Sequence, residues 1–349
     1  MSSVDVVVPC YNYAHYLQSC VDSVLSQRDV AVRVLIIDDA SLDNTQAVAE
    51  QLTAADRRVS YIRNEVNLGL IRTANKGLME WASAPYSLLL SADDALTPGS
   101  LARSTHVLEN YPEVGLAYGM ARIVGDDNDT GQLEDCLAPT YQIISGSRFL
   151  YRSCECGNPA ASPSVIVRTS LQHRLGGYCA HLPHTSDMEM WMRFSTQASV
   201  AVIKDIQAYY RVHGTNMYLR YCNGTLADSQ EQIAACREVF DSWCKDIPEF
   251  ATWMTMQRRR LCDDAYWRAG VALAEGDREG VAGCLAFVEK YKSDARHSSA
   301  RWRYRAKALL GQWLWSKLAG RIRRSRRVNS RNDLLQDEKV LGWWPRPLA

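Results

Sequence analysis

The chain has 349 residues, 47% hydrophobic and 23% charged, with 20 glycines and 11 prolines, which excludes a disordered or fibrous protein and suits one large domain plus a smaller one. No apolar run approaches the ~20 residues of a membrane-spanning helix, and Val4-Asp5-Val6-Val7-Val8-Pro9 starts a strand pattern with no basic leader before it, so a cytoplasmic protein is expected. The net charge of +1 hides a segregation: residues 295–332 carry 12 basic and no acidic side chains, leaving 28 basic against 39 acidic elsewhere, an acidic body with a basic C-terminal arm.

Residues 4–9 read as a first strand, and residues 16–27 as a helix with Leu17, Val21, Val24 and Leu25 on one face. Residues 32–37 form a second strand ending in Asp38-Asp39; Ser41-Leu42-Asp43-Asn44 then offers capping groups for a helix to about Leu52. A strand over 59–63, a helix over 71–81 and a strand over 86–90 follow, the last running into Ala92-Asp93-Asp94. This alternation, continuing to about Val212, predicts a layered α/β fold with polar clusters at the carboxyl edge of the sheet. Beyond Asn216 the pattern becomes long amphipathic helices, with Gly276-Asp277 as a tight turn between two of them. The expected division is 1–216 for the α/β domain, 217–294 for a helical appendage and 295–349 for a basic arm. Eleven scattered cysteines do not make a disulfide framework, and Cys154-x-Cys156 lacks the companions of a zinc site.

The acidic pairs are the chemical clue. Asp38-Asp39 and Asp93-Asp94 each close a strand, and Asp187 and Glu189 precede Trp191. Carboxylates gathered at one sheet edge repel one another unless a hard cation or a polar ligand joins them. Taken singly, each pair reads equally well as a solvated turn or a helix cap.

The chain resembles the inverting, GT-A-fold glycosyltransferases of family 2. The resemblance rests on Val8-Pro9-Cys10-Tyr11-Asn12, on 36–45 (Ile-Ile-Asp-Asp-Ala-Ser-Leu-Asp-Asn-Thr), on Asn67-Leu68-Gly69 with Asn75 and Gly77, and on Ser91-Ala92-Asp93-Asp94 with Pro98 and Leu101. It continues through Gly176-Gly177-Tyr178, 186–193 (Ser-Asp-Met-Glu-Met-Trp-Met-Arg) and Tyr210-Arg211-Val212-His213, covering roughly the first 216 residues.

By this resemblance the central sheet is mixed and mainly parallel, Pro9 and Tyr11 line a nucleobase slot, Asn12 belongs to the donor site beside them, and Asp38 or Asp39 accepts hydrogen bonds from base or ribose. Asn67, Gly69, Ser91, Asp94 and Arg211 complete a donor site for a nucleotide-diphosphate sugar, a UDP-sugar being favoured. Asp93, with His213, would hold Mg²⁺ or Mn²⁺ at the diphosphate. Ser91 stands where the family commonly has a further aspartate. Asp187 is the expected catalytic base, because an acceptor hydroxyl becomes a useful nucleophile only as its proton leaves; Glu189 and Trp191 flank the sugar and acceptor pocket. The acceptor would be a cell-surface glycan or a lipid-linked saccharide. Two other readings stay open: a nucleotide-sugar-binding regulatory or scaffold subunit with weakened chemistry, and a transferase for a soluble small acceptor.

The arm has Trp302, Ala306, Leu309, Leu310, Trp313, Leu314, Leu318 and Ile322 at helical spacing among Arg301, Arg305, Lys317, Arg321 and Arg324. A cationic amphipathic helix over 301–327 suits the surface of an anionic membrane; the alternative is packing on the helical appendage. No nucleic-acid recognition module accompanies the charge.

Overall fold

The computed structural model describes residues 1–125, 139–216, 226–244, 247–291, 298–326 and 340–345, with side chains to 318 in the last long helix. Its contacts divide into two compact units: residues 1–150, 158–214 and 337–349 form the first, residues 151–157 and 215–336 the second.

The first unit is built on one sheet in the order β3-β2-β1-β4-β8-β6-β9-β5. Its parallel half consists of β1 (Ser3–Cys10), β2 (Ala31–Asp38), β3 (Val59–Arg63) and β4 (Tyr86–Leu89). The crossovers are α1 (Ala14–Leu25), α2 (Thr45–Ala55) and α3 (Leu70–Lys76), the last ending in a π-helical turn, Gly77–Trp81. Val4, Val6, Val8, Val34 and Ile36 have no exposed surface, as expected of strands covered on both faces; each such side chain contributes about 1.5–3 kcal/mol on burial. Asp5 interrupts the apolar run of β1 without penalty because it is paired. Its carboxylate holds Arg33 at 2.6 Å and accepts the main-chain N–H groups of Ser83 and Ala84.

The other half is mixed. It contains β5 (Ala95–Leu96), β6 (Val114–Val124), β7 (Tyr141–Ile144), β8 (Ile166–Arg168) and the long β9 (Ser199–Arg211). Here β6 and β9 run parallel with three register shifts, while β8 is antiparallel to both β4 and β6. Helices α4 (Ser100–Asn110), α5 (Gly146–Cys156), α6 (Thr169–Leu175) and α7 (Ser186–Ser195) join these strands. A final strand, β10 (Val340–Leu341), pairs antiparallel with β6. The chain thus comes back to the first unit after the helices, and the last stretch of the expected 295–349 arm belongs with the sheet.

The second unit contains α8 (Ala227–Trp243), α9 (Phe250–Glu275), α10 (Arg278–Lys290) and α11 (Ser299–Arg326). Its core gathers Ile233, Leu261, Ala265, Tyr266, Phe287 and Val288. Gly276, at φ 78°, ends α9, and the Asp277 carboxylate caps α10 by accepting the N–H of Gly280. Gly311 breaks α11 into two segments (φ 72°, ψ 163°). One face of α11 packs inward: Tyr304 lies against Tyr266, and the Trp315 indole N–H donates to the carbonyl of Gly270 at 2.6 Å. Trp302, Leu309 and Trp313 face outward, 64, 89 and 69% exposed. Among the described residues no helix is long and apolar enough to cross a membrane.

Candidate active site

β1 lies between β2 and β4, so the carboxyl ends of these three strands form one edge, with Asp38-Asp39 on one side of β1 and Asp93-Asp94 on the other. The β1–α1 loop begins with Tyr11, 42% exposed, and Asn12, whose backbone takes the left-handed conformation (φ 59°). An asparagine tolerates that conformation. Its amide N–H donates to Ser41 Oγ (2.9 Å), and its side-chain oxygen accepts the N–H of Leu42 (2.8 Å). Two loops from different strands are thereby laced together beside Pro9, which is buried in β1.

Asp38 has no exposed surface. It accepts from the N–H of Ser41 and the hydroxyl of Tyr61 and pairs with Arg63. Asp39 is also buried, and it collects donors from the next loop: Leu68 N–H and the Asn64 amide on one oxygen, Gly69 N–H on the other, each at 2.8 Å. Gly69 sits at φ 82° and receives a second acceptor from Asn67 Oδ1 at 2.9 Å. An L-residue would strain this turn, which accounts for the Asn67-Leu68-Gly69 sequence.

Across β1 the geometry differs. Asp93 Oδ2 lies 3.1 Å from Nε2 of His213, 120 residues later in the chain. Both side chains are nearly buried yet retain a solvent-facing edge, at 8 and 7% exposure. Asp94 Oδ1 accepts the N–H of Arg211 (2.9 Å), and Arg211 Nε donates to the carbonyl of Asp93 (2.9 Å). These bonds pin the end of β9 onto the strand-four turn and so deliver His213. The Arg211 guanidinium also reaches the Gly125 carbonyl and lies over the Tyr16 ring at 4.7 Å, leaving 2% of the residue exposed. Tyr13 and Tyr16 rings flank His213 at 5.2 and 5.3 Å. Burial first, and the neighbouring Asp93 charge second, push the Asp94 carboxyl well above its ordinary range.

The third group sits at the start of α7. Asp187 Oδ2 accepts from the Ser162 hydroxyl (2.6 Å) and the Asn158 amide (2.9 Å), and Oδ1 from the Met188 N–H (2.6 Å). Burial raises its pKa from the ordinary carboxylate value, while the Ser162 hydrogen bond opposes that rise. Such a carboxylate is a better proton acceptor than an exposed one and is already oriented. Glu189, next along the helix, is locked in a buried ion pair with Arg193 at 2.6 Å, and Arg193 also donates to the carbonyls of Leu175 and Gly177. Trp191 is buried between Tyr178 and Phe194, and its indole nitrogen has no hydrogen-bond partner among the described residues. Asn75 clasps Tyr178 through both its amide atoms at 2.7 and 2.8 Å, tying α3 to the Gly176-Gly177-Tyr178 turn.

Ser91 is half-buried at the strand-four turn, its carbonyl accepting the Asp94 N–H at 3.0 Å. Of the residues singled out in the sequence, Asp93, Asp94, Arg211 and His213 are thus in mutual contact; Asp38 and Asp39 lie across β1, and Asp187 on its own helix. Asn158, Ser162, Arg63 and Asn64 were not singled out. They are ordinary polar loop or strand residues, and only the three-dimensional arrangement gives them carboxylates to hold. The Asp93–His213 pair fits a divalent ion: ligand atoms adjacent on an octahedral ion with bonds of about 2.1 Å lie about 3 Å apart, close to the 3.1 Å observed.

The profile of the family described as Glycosyl transferase family 2 matches residues 5–162. Over those residues the chain matches the family 2 glycosyltransferases. The putative glycosyltransferase EpsH of Bacillus subtilis is 26% identical over 322 residues, covering 83% of this chain and 92% of that protein. An uncharacterized glycosyltransferase of Haemophilus influenzae is 25% identical, covering 60% of this chain and 66% of its own length. Among solved structures, S. aureus TarS superposes with a TM-score of 0.60 at 17% identity, over 91% of this chain and 55% of that one. The mannosyltransferase PcManGT of Pyrobaculum calidifontis, in complex with GDP-Man and Mn²⁺, gives 0.53 at 16%, over 89 and 87%. The fold is GT-A-like, and the chain spans less than two thirds of the length of the Haemophilus relative and of TarS.

Proposed function

We propose that this glycosyltransferase moves a sugar from a nucleotide-diphosphate donor, a UDP-sugar being favoured, to an acceptor hydroxyl with inversion of the anomeric centre. The observation that carries this reading is the Asp93–His213 pair, 3.1 Å apart at the carboxyl edge of β4. A structure of S. aureus TarS in complex with UDP-GlcNAc shares the fold (TM-score 0.53, 16% identity, 85% of this chain and 91% of that one), in keeping with a uridine nucleotide. Asp93 and His213 would hold Mn²⁺ or Mg²⁺, and the imidazole in the donor set favours Mn²⁺. Once bound, the ion neutralises charge on the leaving diphosphate.

The protein's own groups do the rest. Tyr11 and Asn12 present the exposed lip of the base slot, and Asn67 and Gly69 the opposite loop. Asp38, Asp39 and Arg211, saturated by internal partners, frame the donor site and fix its loops. Asp187, oriented by Asn158 and Ser162, takes the acceptor proton as the hydroxyl attacks. Trp191, whose indole N–H has no partner among the described residues, and Glu189 shape the acceptor side.

The test is UDP-GlcNAc turnover with Mn²⁺ and with chelator, water serving as acceptor where no sugar acceptor is added. Asp187→Asn should lower turnover by ~10²–10⁴ with donor affinity intact. Retained configuration in the product's NMR spectrum, full activity in chelator, or an equal loss of donor affinity in Asp187→Asn would overturn the respective assignment.

The acceptor, in this reading, is a glycan or lipid-linked saccharide at an anionic membrane surface. The outward face of α11 supports this, with Trp302, Leu309 and Trp313 exposed beside Arg305 and Lys317. Trp315 serves the helical packing and does not contribute to that face. The protein should sediment with anionic vesicles at low salt and less so at high salt, with Trp302→Ala/Trp313→Ala weakening the residual salt-resistant part. Indifference to anionic vesicles would remove this placement.

A further inference from the structure

The Asp187 clasp depends on a loop, residues 158–165, that enters the short strand β8. Among the described residues β8 pairs with β6 only at Leu116 and Ala117. Since β9 takes the other side of β6 along its whole length, the rest of the β8-facing edge would stand open. The C-terminal segment fills it: Val340 and Leu341 pair with Arg122 and Ala121. Gly342 then turns with φ 115°, where a Cβ would come within 3.1 Å of the Met120 sulfur and 3.2 Å of the Gly119 carbonyl. The turn brings Trp343 down on the loop. Its N–H donates to the Pro159 carbonyl at 3.0 Å, and its own carbonyl accepts the Tyr118 hydroxyl at 3.0 Å. The Arg148 guanidinium covers its ring at 5.9 Å, and the Gln142 amide holds Pro345 at 3.0 Å. Pro159 follows directly on Asn158, which with Ser162 donates to Asp187. Ser164, at the other end of the loop, donates to the Gly119 carbonyl at 2.9 Å, so both ends of the clasp are fastened to β6 or to its C-terminal partner.

We infer that Val340–Pro345 is a positioning element of catalysis: by bonding Pro159 it fixes the Asn158–Ser162 loop and, through it, the direction in which the Asp187 carboxylate faces the acceptor. Trp343 and Tyr118 are positioning residues that touch neither donor nor acceptor. The inference rests on the reading of Asp187 as the base. Its mechanism is orientation, where displacement of a group by an ångström can cost up to ~10²-fold in rate.

The experiment uses the full chain and UDP-GlcNAc turnover. Trp343→Pro, which deletes the N–H, should lower kcat about tenfold with donor KM unchanged, Tyr118→Phe should lower it by a smaller factor, and Trp343→Phe, which keeps the N–H, should restore it. The acid limb of the kcat profile should move in the same direction as in Ser162→Ala. In an Asn158→Ala/Ser162→Ala background Trp343→Pro should add nothing, because the path it acts through is gone. Unchanged kcat in Trp343→Pro, or losses that multiply in that background, would overturn the inference. If Trp343→Pro fails to fold, Tyr118→Phe decides by the same two criteria. Unchanged kcat in Asn158→Ala/Ser162→Ala alone is a different failure: it removes the role of Asp187 itself and the inference with it.

Discussion

Two Asp-Asp pairs end neighbouring strands on either side of β1, and they are held in opposite ways. Asp38 and Asp39 are ringed by donors from their own surroundings: Ser41, Tyr61 and Arg63 for one, Asn64, Leu68 and Gly69 for the other. Asp93 and Asp94 face each other's charge, with the His213 imidazole beside Asp93 and the Arg211 main-chain N–H on Asp94. A carboxylate saturated by N–H and O–H groups is satisfied without a ligand. One that faces another carboxylate, with an imidazole at ligand distance, is stabilised in its charged form by a cation. The same dipeptide therefore builds loops on one side of β1 and, in the proposed function, a site for a cation on the other.

The sharpest way to break this contrast is Asp93→Asn. On the proposed function it should cut Mn²⁺-dependent UDP-GlcNAc turnover by about 10²–10³-fold, the several kcal/mol that charge stabilisation supplies, while urea denaturation in chelator stays near that of the parent chain. A comparable loss of stability would put Asp93 in the same structural class as Asp39. Asp39→Ala should show the reverse pattern. Leaving the Leu68 and Gly69 N–H groups without their acceptor should cost about 2–3 kcal/mol in urea denaturation, with Mn²⁺ affinity by calorimetry little changed. The smallest effect is expected outside both pairs, at Ser162→Ala. Burial lifts the Asp187 carboxyl and the serine hydroxyl counters it, so deleting the hydroxyl lifts it further. The base must be ionised to act, hence the acid limb of the pH profile should move to higher pH; movement to lower pH would show that Ser162 does not support the carboxylate.

Much of the first unit was legible because it is written in local pattern. The strand–helix alternation through Leu90 and the motif ends at Asp38, Asp93, Asp187 and His213 come from spacing and from the resemblance to family 2 enzymes. The helical unit was legible from its amphipathic runs and the Gly276-Asp277 turn. What escaped is non-local. β6 and β9 carry register shifts that blur any period of two, and β10 is two residues long, too short to signal a strand. Asn158 and Ser162 became noticeable only once folding set Asp187 opposite them. Gly311 sits inside an unbroken helical pattern, yet its positive φ divides α11; a lone glycine does not announce whether it will bend or simply weaken a helix.

The pairing of β10 with β6 also has a consequence in time. Tyr118 and Trp343 are 225 residues apart in the chain, so on a ribosome adding about 5–20 residues per second the partner of the open β6 edge arrives roughly 10–45 s later. Through that interval the nascent sheet carries an unpaired stretch of strand, the kind of edge that recruits strands from other chains. Nascent chains stalled before Val340 should accordingly be cut by protease within residues 158–165 faster than released ones, and equal rates of cleavage would mean that the edge is protected before its own strand arrives.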